Sequence, residues 1–128
     1  MNILSPLADL GGRILLSALF ILSGLHGLGD LAGTAQLMAD KGVPGELAIL
    51  VVITELGCGT QLLLGFMTRL MAFLLGGFTL LTALVFHMDF ADQMQSIMFM
   101  KNLAVAGGLG IVFANGAGPL SIDGLRRR

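Results

Sequence analysis

The amino-acid sequence predicts an all-α integral membrane protein, a bundle of four transmembrane helices with both termini on the cytoplasmic side. Of the 128 residues, 55% are hydrophobic and only 12% are charged, whereas soluble domains carry about 25% charged residues. The mean hydropathy is +0.92. A soluble fold of this length cannot cover so much apolar surface with so few charges, so we expect lipid to be its solvent.

Four apolar segments, each about as long as a helix that crosses the hydrocarbon core of a bilayer, give the number of spans. Charged residues, glycines or prolines bound each segment. The second and third segments are joined through Thr68 with almost no loop, which predicts a tight antiparallel hairpin. We treat residues 1–128 as a single domain. The segments are Gly11 to Gly29, Glu46 to Met67, Arg69 to Met88 and Ile97 to Gly116.

The distribution of arginines predicts the orientation in the membrane, because basic residues are enriched on the cytoplasmic side. The N-terminus, the turn at Thr68 and the C-terminus share one side, which collects Arg13, Arg69 and the arginines at 126–128. Acidic residues predominate on the other side. We therefore expect the arginine side to be cytoplasmic and the opposite side to be the outer one.

Helical periodicity predicts a further element and the inward faces of two segments. Between Leu31 and Lys41, apolar residues recur at helical spacing, which predicts a short amphipathic helix along the outer interface. In the first and third segments, polar and apolar residues at multiples of the helical repeat form stripes that we expect to face the bundle interior. The stripes are Arg13, Ser17, Phe20 and Gly24, and Arg69, Phe73, Gly76, Leu80, Ala83 and His87.

Polar side chains inside the apolar segments mark a candidate site. An ionisable group near the bilayer centre costs about 2.5–3.5 kcal/mol on insertion scales, so it needs a partner, water or a function. Glu55 lies too deep in the second segment to reach the headgroups. Each segment brings at least one polar residue to the outer half, which predicts a polar site there. The candidate residues are Glu55, His87, Lys101, Asn102 and His26.

The alternative for these residues is a structural network, in which Glu55 and Lys101 pair and the histidines lie among the headgroups. We interpret Arg13, Arg69 and Asp123 as structural charges that anchor helix ends.

Cofactor and nucleic-acid sites receive little support from the sequence. The one cysteine permits neither an internal disulfide nor a cysteine-based metal site, and we predict no metal site. Two histidines on different helices are the arrangement that ligates haem, but His26 lies off the Arg13 stripe, so we do not expect haem. We predict no covalently bound cofactor. A net charge of −1 without a basic patch excludes a nucleic-acid partner.

Short motifs recur along the chain in a fixed order. They are Gly12-Arg13, Ser23-Gly24, Lys41-Gly42-Val43-Pro44, Glu55-Leu56-Gly57, Gly65-Phe66-Met67-Thr68-Arg69, Phe86-His87, Lys101-Asn102-Leu103-Ala104, Gly107-Gly108 and Gly118-Pro119-Leu120-Ser121-Ile122-Asp123. From Arg13 to Asp123, this set resembles the DoxX family of small bacterial inner-membrane proteins. The resemblance implies a four-helix, multi-pass protein of the inner (plasma) membrane with a redox association, since relatives resemble membrane subunits of quinone-linked oxidoreductases or thiol-stress complexes. Family members often carry a lysine where this chain has Gly27, beside His26.

Two functions remain open, and the sequence does not decide whether the protein is an enzyme. In the first, the outer polar site of a redox-associated subunit binds a quinone, with His87 and Glu55 handling protons. In the second, the chain is a non-catalytic scaffold or assembly subunit for a partner enzyme. The expected partners are membrane lipid, a redox partner protein and further copies in a homo-oligomer. Glycines that would leave room for a flat ring are Gly57, Gly59, Gly107 and Gly108.

The orientation can be tested with reporter fusions. A reporter that is active only in the cytoplasm should be active after Arg128 and inactive beside Asp92, because the arginines hold their side in the cytoplasm. A reporter that is active only outside the cytoplasm serves as the control and should give the opposite pattern. Activity of the cytoplasmic reporter at Asp92 alone would contradict the assignment.

Overall fold

The computed structural model describes residues 4–126, and in this range its regular elements are all helical. Four stretches are long and apolar enough to cross a membrane, namely α1, α3 with the turn before it, α4 and α5. The predicted all-α, four-span architecture is thereby confirmed. Two of the arginines used for the orientation, Arg127 and Arg128, lie outside the described residues. The elements are α1 (Leu4–Gly29), α2 (Leu31–Asp40), a 3-10 turn (Gly45–Leu47), α3 (Ala48–Leu64), α4 (Thr68–Phe86), α5 (Gln93–Asn115) and α6 (Ile122–Arg126).

The observed helix ends depart from the predicted ones where capping groups act. The fifth helix begins at Gln93 rather than Ile97, because the Asp92 carboxylate accepts a hydrogen bond from the backbone N–H of Met94 at 3.0 Å. The first helix already includes Leu4, the first described residue, rather than starting at Gly11. Charged and polar residues at the segment ends thus continue the helices beyond their apolar parts.

The short helix predicted in the first loop is present as α2. Asp30 caps its N-terminus, where the carboxylate accepts a hydrogen bond from the backbone N–H of Gly33 at 3.0 Å. Met38 is buried, whereas Leu37 is 66% exposed. Because α2 packs on α1 and α3, it lies at the end of the bundle where α1 ends and α3 begins.

The long helices associate mainly in pairs. α1 packs along α3 and α5 packs along α4, while α1 and α5 share only a small contact. Small residues allow the first pair to approach closely, since a Cβ at Gly24 would lie 2.7 Å from the Leu56 side chain. Leu75 and Leu109 are fully buried at the centre of the α4–α5 packing.

One of the two predicted inward faces is correct. All members of the Arg13 stripe on α1 are buried. The predicted face of α4 is wrong, because Phe73 is 62% and Leu80 44% exposed. Large apolar side chains surround this helix, so in lipid its rotation is set by the small and hydroxyl-bearing residues that fit against α5. The buried residues of α4 are Thr68, Met71, Ala72, Leu75, Thr79 and Ala83.

Arg13 joins separate parts of the chain at one end of the bundle, which we call the arginine end. Its side chain is only 2% exposed. The Nη1 group donates hydrogen bonds to the carbonyls of Leu62 at 3.2 Å and Leu63 at 2.8 Å, and Nη2 donates to the carbonyl of Leu120. The last carbonyls of a helix lack intrahelical partners. Arg13 therefore satisfies carbonyls at the end of α3 and ties the segment after α5 to the same point.

Asp123 caps α4 from a distant part of the sequence. Its carboxylate accepts hydrogen bonds from the backbone N–H of Met67 at 3.0 Å and Thr68 at 2.9 Å, and from the Thr68 hydroxyl at 2.7 Å. The turn that it holds contains Gly65 at φ 71° and Met67 at φ 50°. Non-glycine residues rarely adopt positive φ. Asp123 therefore stabilises a turn in which Met67 adopts an unfavourable backbone conformation.

The cap provided by Asp123 can be compared with a local one. We expect Asp123→Ala to lower the free energy of unfolding in detergent by about 2 kcal/mol or more. The reason is that the α4 N-terminus loses every hydrogen bond that the Asp123 carboxylate accepts from Met67 and Thr68. Asp92→Ala, which removes the local cap of α5, is the control and should cost about 1 kcal/mol. Equal losses in the two variants would show that the long-range cap by Asp123 contributes no more than the local cap by Asp92.

Candidate functional site

A cavity of about 610 Å³ lies between the helices, away from the arginine end. We call it the polar cavity. Residues of five helices line it, namely α1, α2, α3, α4 and α5. It contains all the side chains that the sequence proposed as a candidate polar site, namely His26, Glu55, His87, Lys101 and Asn102.

Glu55 is the buried carboxylate of the polar cavity. It is 8% exposed, and α1 approaches it so closely that a Cβ on Gly24 would lie 3.2 Å from the Glu55 Cβ. Its polar neighbours are the Ser23 side chain on α1 and, electrostatically, Lys101 on α5. Glu55 and Lys101 line the same cavity but do not form a direct ion pair. The carboxylate therefore faces the cavity with several polar neighbours rather than one fixed partner.

His87 lies at the C-terminal end of α4, where its backbone N–H donates to the carbonyl of Ala83 at 3.1 Å. Its imidazole is half-buried. Burial lowers the pKa of His87, and the positive charges of Lys101 and Lys41 lower it further. His87 is therefore neutral at neutral pH and can accept a proton or a hydrogen bond.

Asn102 holds two helices together. The residue is buried, and its Nδ2 group donates to the carbonyl of Thr79 at 3.2 Å and to the hydroxyl of Thr82 at 3.1 Å. The Thr82 hydroxyl in turn donates to the Thr79 carbonyl at 2.9 Å. The amide protons of Asn102 are thus engaged by α4. Lys101, the next residue towards the N-terminus of α5, also lines the cavity and can donate a hydrogen bond to a ligand in place of Asn102.

His26 and Lys101 lie at the rim of the cavity, where both are exposed. Sequence reasoning missed other polar residues in its wall. Hydroxyl residues spaced three apart in an apolar segment, as Thr79 and Thr82 are, were the available signal for those on α4. The missed polar residues are Ser23, Thr34, Asp40, Lys41, Thr79, Thr82 and Gln95.

The glycines proposed to make room for a flat ring do not line the polar cavity, so that expectation is wrong. The space beside Gly59 is occupied by α1, since a Cβ on Gly59 would lie 3.2 Å from the Phe20 side chain. Gly57 and Gly107 face open space, with nothing within 4 Å of a Cβ. Gly108 faces Leu16 of α1.

The residues assigned as structural charges lie outside the polar cavity. Arg69 donates a hydrogen bond from Nη2 to the carbonyl of Ala114 at 3.3 Å, near the end of α5. Asp9 and Asp123 interact electrostatically with Arg13. Within residues 4–126, no group of three His, Cys, Asp or Glu side chains is placed to hold a metal ion.

Comparisons with known proteins identify relatives of the chain. A family model described as DoxX matches residues 8–88. "Inner membrane protein YqjF" of Escherichia coli (strain K12) is 45% identical over 125 residues, which cover 98% of this chain and 96% of that protein. "Inner membrane protein YphA" of the same organism is 33% identical over 125 residues, covering 92% and 89% of the two chains. No solved structure matches the chain.

The electrostatic coupling inside the polar cavity can be measured by NMR titration of the His87 imidazole. We expect Lys101→Met to raise the pKa of His87 towards its ordinary value, because a nearby positive charge is removed. Lys41→Met is the comparison and should raise it less. No change in Lys101→Met would show that Lys101 points away from His87.

The same pKa shift predicts a pH dependence of stability. Because the pKa of His87 is lowered in the folded protein, the unfolded chain binds the proton more readily. The stability contributed by neutral His87 is present above the ordinary imidazole pKa and is lost as the pH falls through the lowered one. Thermal unfolding in detergent should therefore show a smaller loss on acidification in His87→Gln than in wild type. An equal loss in both proteins would contradict this assignment.

Proposed function

Because this chain belongs to the DoxX family, we propose that it is a redox-associated membrane subunit whose polar cavity binds a quinone or a similar lipophilic redox molecule. It is an integral inner-membrane protein, as its four apolar helices and its relatives indicate. The observation that carries the proposal is that Glu55 and His87, from different helices, line one cavity of small-molecule size.

The size and walls of the polar cavity support this proposal. Pockets for small molecules enclose about 300–1,000 Å³ and are mostly apolar with a few polar groups. The polar cavity has a volume of about 610 Å³. Its aromatic and aliphatic walls suit a flat ring. The apolar wall residues on α1, α3 and α4 are Leu19, Phe20, Val51, Val52, Phe78 and Phe86.

The protonatable groups supply what the chemistry of a quinone requires. Reduction of a quinone takes up protons together with electrons, and oxidation of the quinol releases them, so a site needs groups that accept and pass on protons. Glu55 is such a group on α3, and His87 is a second at the end of α4. Lys101 donates a hydrogen bond to a quinone oxygen, and a redox partner protein supplies the electrons.

A binding titration with a quinone analogue tests the proposal. Wild-type protein in nanodiscs should bind the analogue saturably, and Glu55→Gln and His87→Ala should each weaken binding by about tenfold, the equivalent of one lost hydrogen bond to the ligand. The matched control is Glu46→Gln, the same change at an exposed carboxylate outside the cavity. It should bind as wild type does.

If folded wild-type protein shows no saturable binding, the quinone site is wrong. The second function, a scaffold or assembly subunit for a partner enzyme, then takes its place. Equal weakening by Glu46→Gln would likewise contradict a specific role for Glu55.

A further inference from the structure

The exposed residues of the polar cavity lie on α1, on α5 and on α2 with the residue after it, but not on α3 or α4. On α3 and α4, none of the lining residues is exposed, and Val52, Glu55 and Thr79 are buried. These two helices form a closed back wall. The exposed lining residues are Ser23 and His26 on α1, Leu37 and Asp40 on α2, Lys41 after it, and Met94 and Lys101 on α5.

The packing of the helices explains why the cavity is open between α1 and α5. α1 is held against α3 through Gly24 and Gly27, and α5 is held against α4 through Asn102. α1 and α5 meet where a Cβ on Gly108 would lie 3.6 Å from the Leu16 side chain, towards the arginine end. The two helices share only a small contact in all, so little packing holds them together beyond that point. We call the gap between them, bounded by Ser23, His26, Met94 and Lys101, the mouth.

The dimensions and chemistry of the mouth suit an amphiphile. A cavity of about 610 Å³ holds a ring of small-molecule size but not a long hydrocarbon chain as well. The mouth lies between two membrane-spanning helices, and Met94 at its edge is 60% exposed. Exposed apolar side chains flank the mouth on both helices, among them Leu22 and Leu25 on α1 and Ile97 on α5, and a hydrocarbon tail that leaves the cavity here lies against them. The long methylene stem of Lys101 is compatible with apolar surroundings at the mouth, because only its terminal ammonium group is charged.

We propose that the polar cavity opens sideways into the bilayer through the mouth between α1 and α5. A lipid-soluble amphiphile enters it ring first, and its apolar tail remains between the two helices. The identity of the ring as a quinone rests on the proposed function. The position of the mouth does not.

Fluorescence quenching tests the mouth without any ligand. Single cysteines in a Cys58→Ala background are labelled with a small fluorophore in vesicles. A label on Ser23→Cys should be quenched by brominated acyl chains as strongly as one on Leu22→Cys, which is exposed on the membrane-facing surface of α1. A label on Glu46→Cys, exposed in the turn before α3, is the aqueous reference and should be quenched by iodide. Quenching of the Ser23 label by iodide, as at Glu46, would overturn the proposal, because the cavity would then open to water.

Cross-linking across the mouth tests the route of entry. Met98, on α5 between Met94 and Lys101, lines the polar cavity. A bismaleimide that joins Ser23→Cys to Met98→Cys should slow association of a quinone analogue by about tenfold or more, because the opening is obstructed. The control joins Leu16→Cys to Gly108→Cys, where α1 and α5 already meet, and should leave association unchanged. Equal rates in the two cross-linked proteins would overturn the route. Failure of the uncross-linked protein to bind the analogue would instead overturn the proposed function, and the quenching result would decide on the mouth alone.

Discussion

The need to satisfy one buried guanidinium organises the bundle. Arginine stays charged in proteins, so Arg13 must find acceptors within an apolar bundle. It finds them in the carbonyls that end α3 and in the carbonyl of Leu120, after α5. Asp123, close in sequence to Leu120 and electrostatically coupled to Arg13, caps α4. Through these contacts the arginine end connects all of the membrane-spanning helices, and their relative positions depend on it.

The two ends of the molecule use polar groups in different ways. At the arginine end, Arg13 and Asp123 bond mainly to backbone groups, which fixes them in place. At the other end, Glu55 and His87 face a cavity with several polar neighbours and no single partner. Bonding to backbone atoms stabilises structure and leaves little capacity for a ligand. The groups at the polar cavity keep that capacity, which is why the proposed chemistry is placed there.

The position of polar residues along the helices could be predicted from the sequence, whereas the rotation of α4 could not. Position along a helix follows from counting residues in an apolar segment, so the sequence predicts which polar residues lie towards the same end of the bundle. Rotation needs a contrast between faces. α1 has that contrast in Arg13 and Ser17, and its face was predicted correctly. α4 has a weaker contrast, since Thr79 and Thr82 are the polar residues of its central part, and these accept hydrogen bonds from Asn102 on another helix. The sequence of α4 alone cannot specify such a partner.

The left-handed turn at Met67 has a consequence for biogenesis. Its stabilising carboxylate belongs to Asp123, which follows the fourth membrane helix and leaves the ribosome after all of them. The α3–α4 hairpin is therefore synthesised before the residue that caps it. The contacts of the arginine end can be completed only after the chain has been made as far as Asp123.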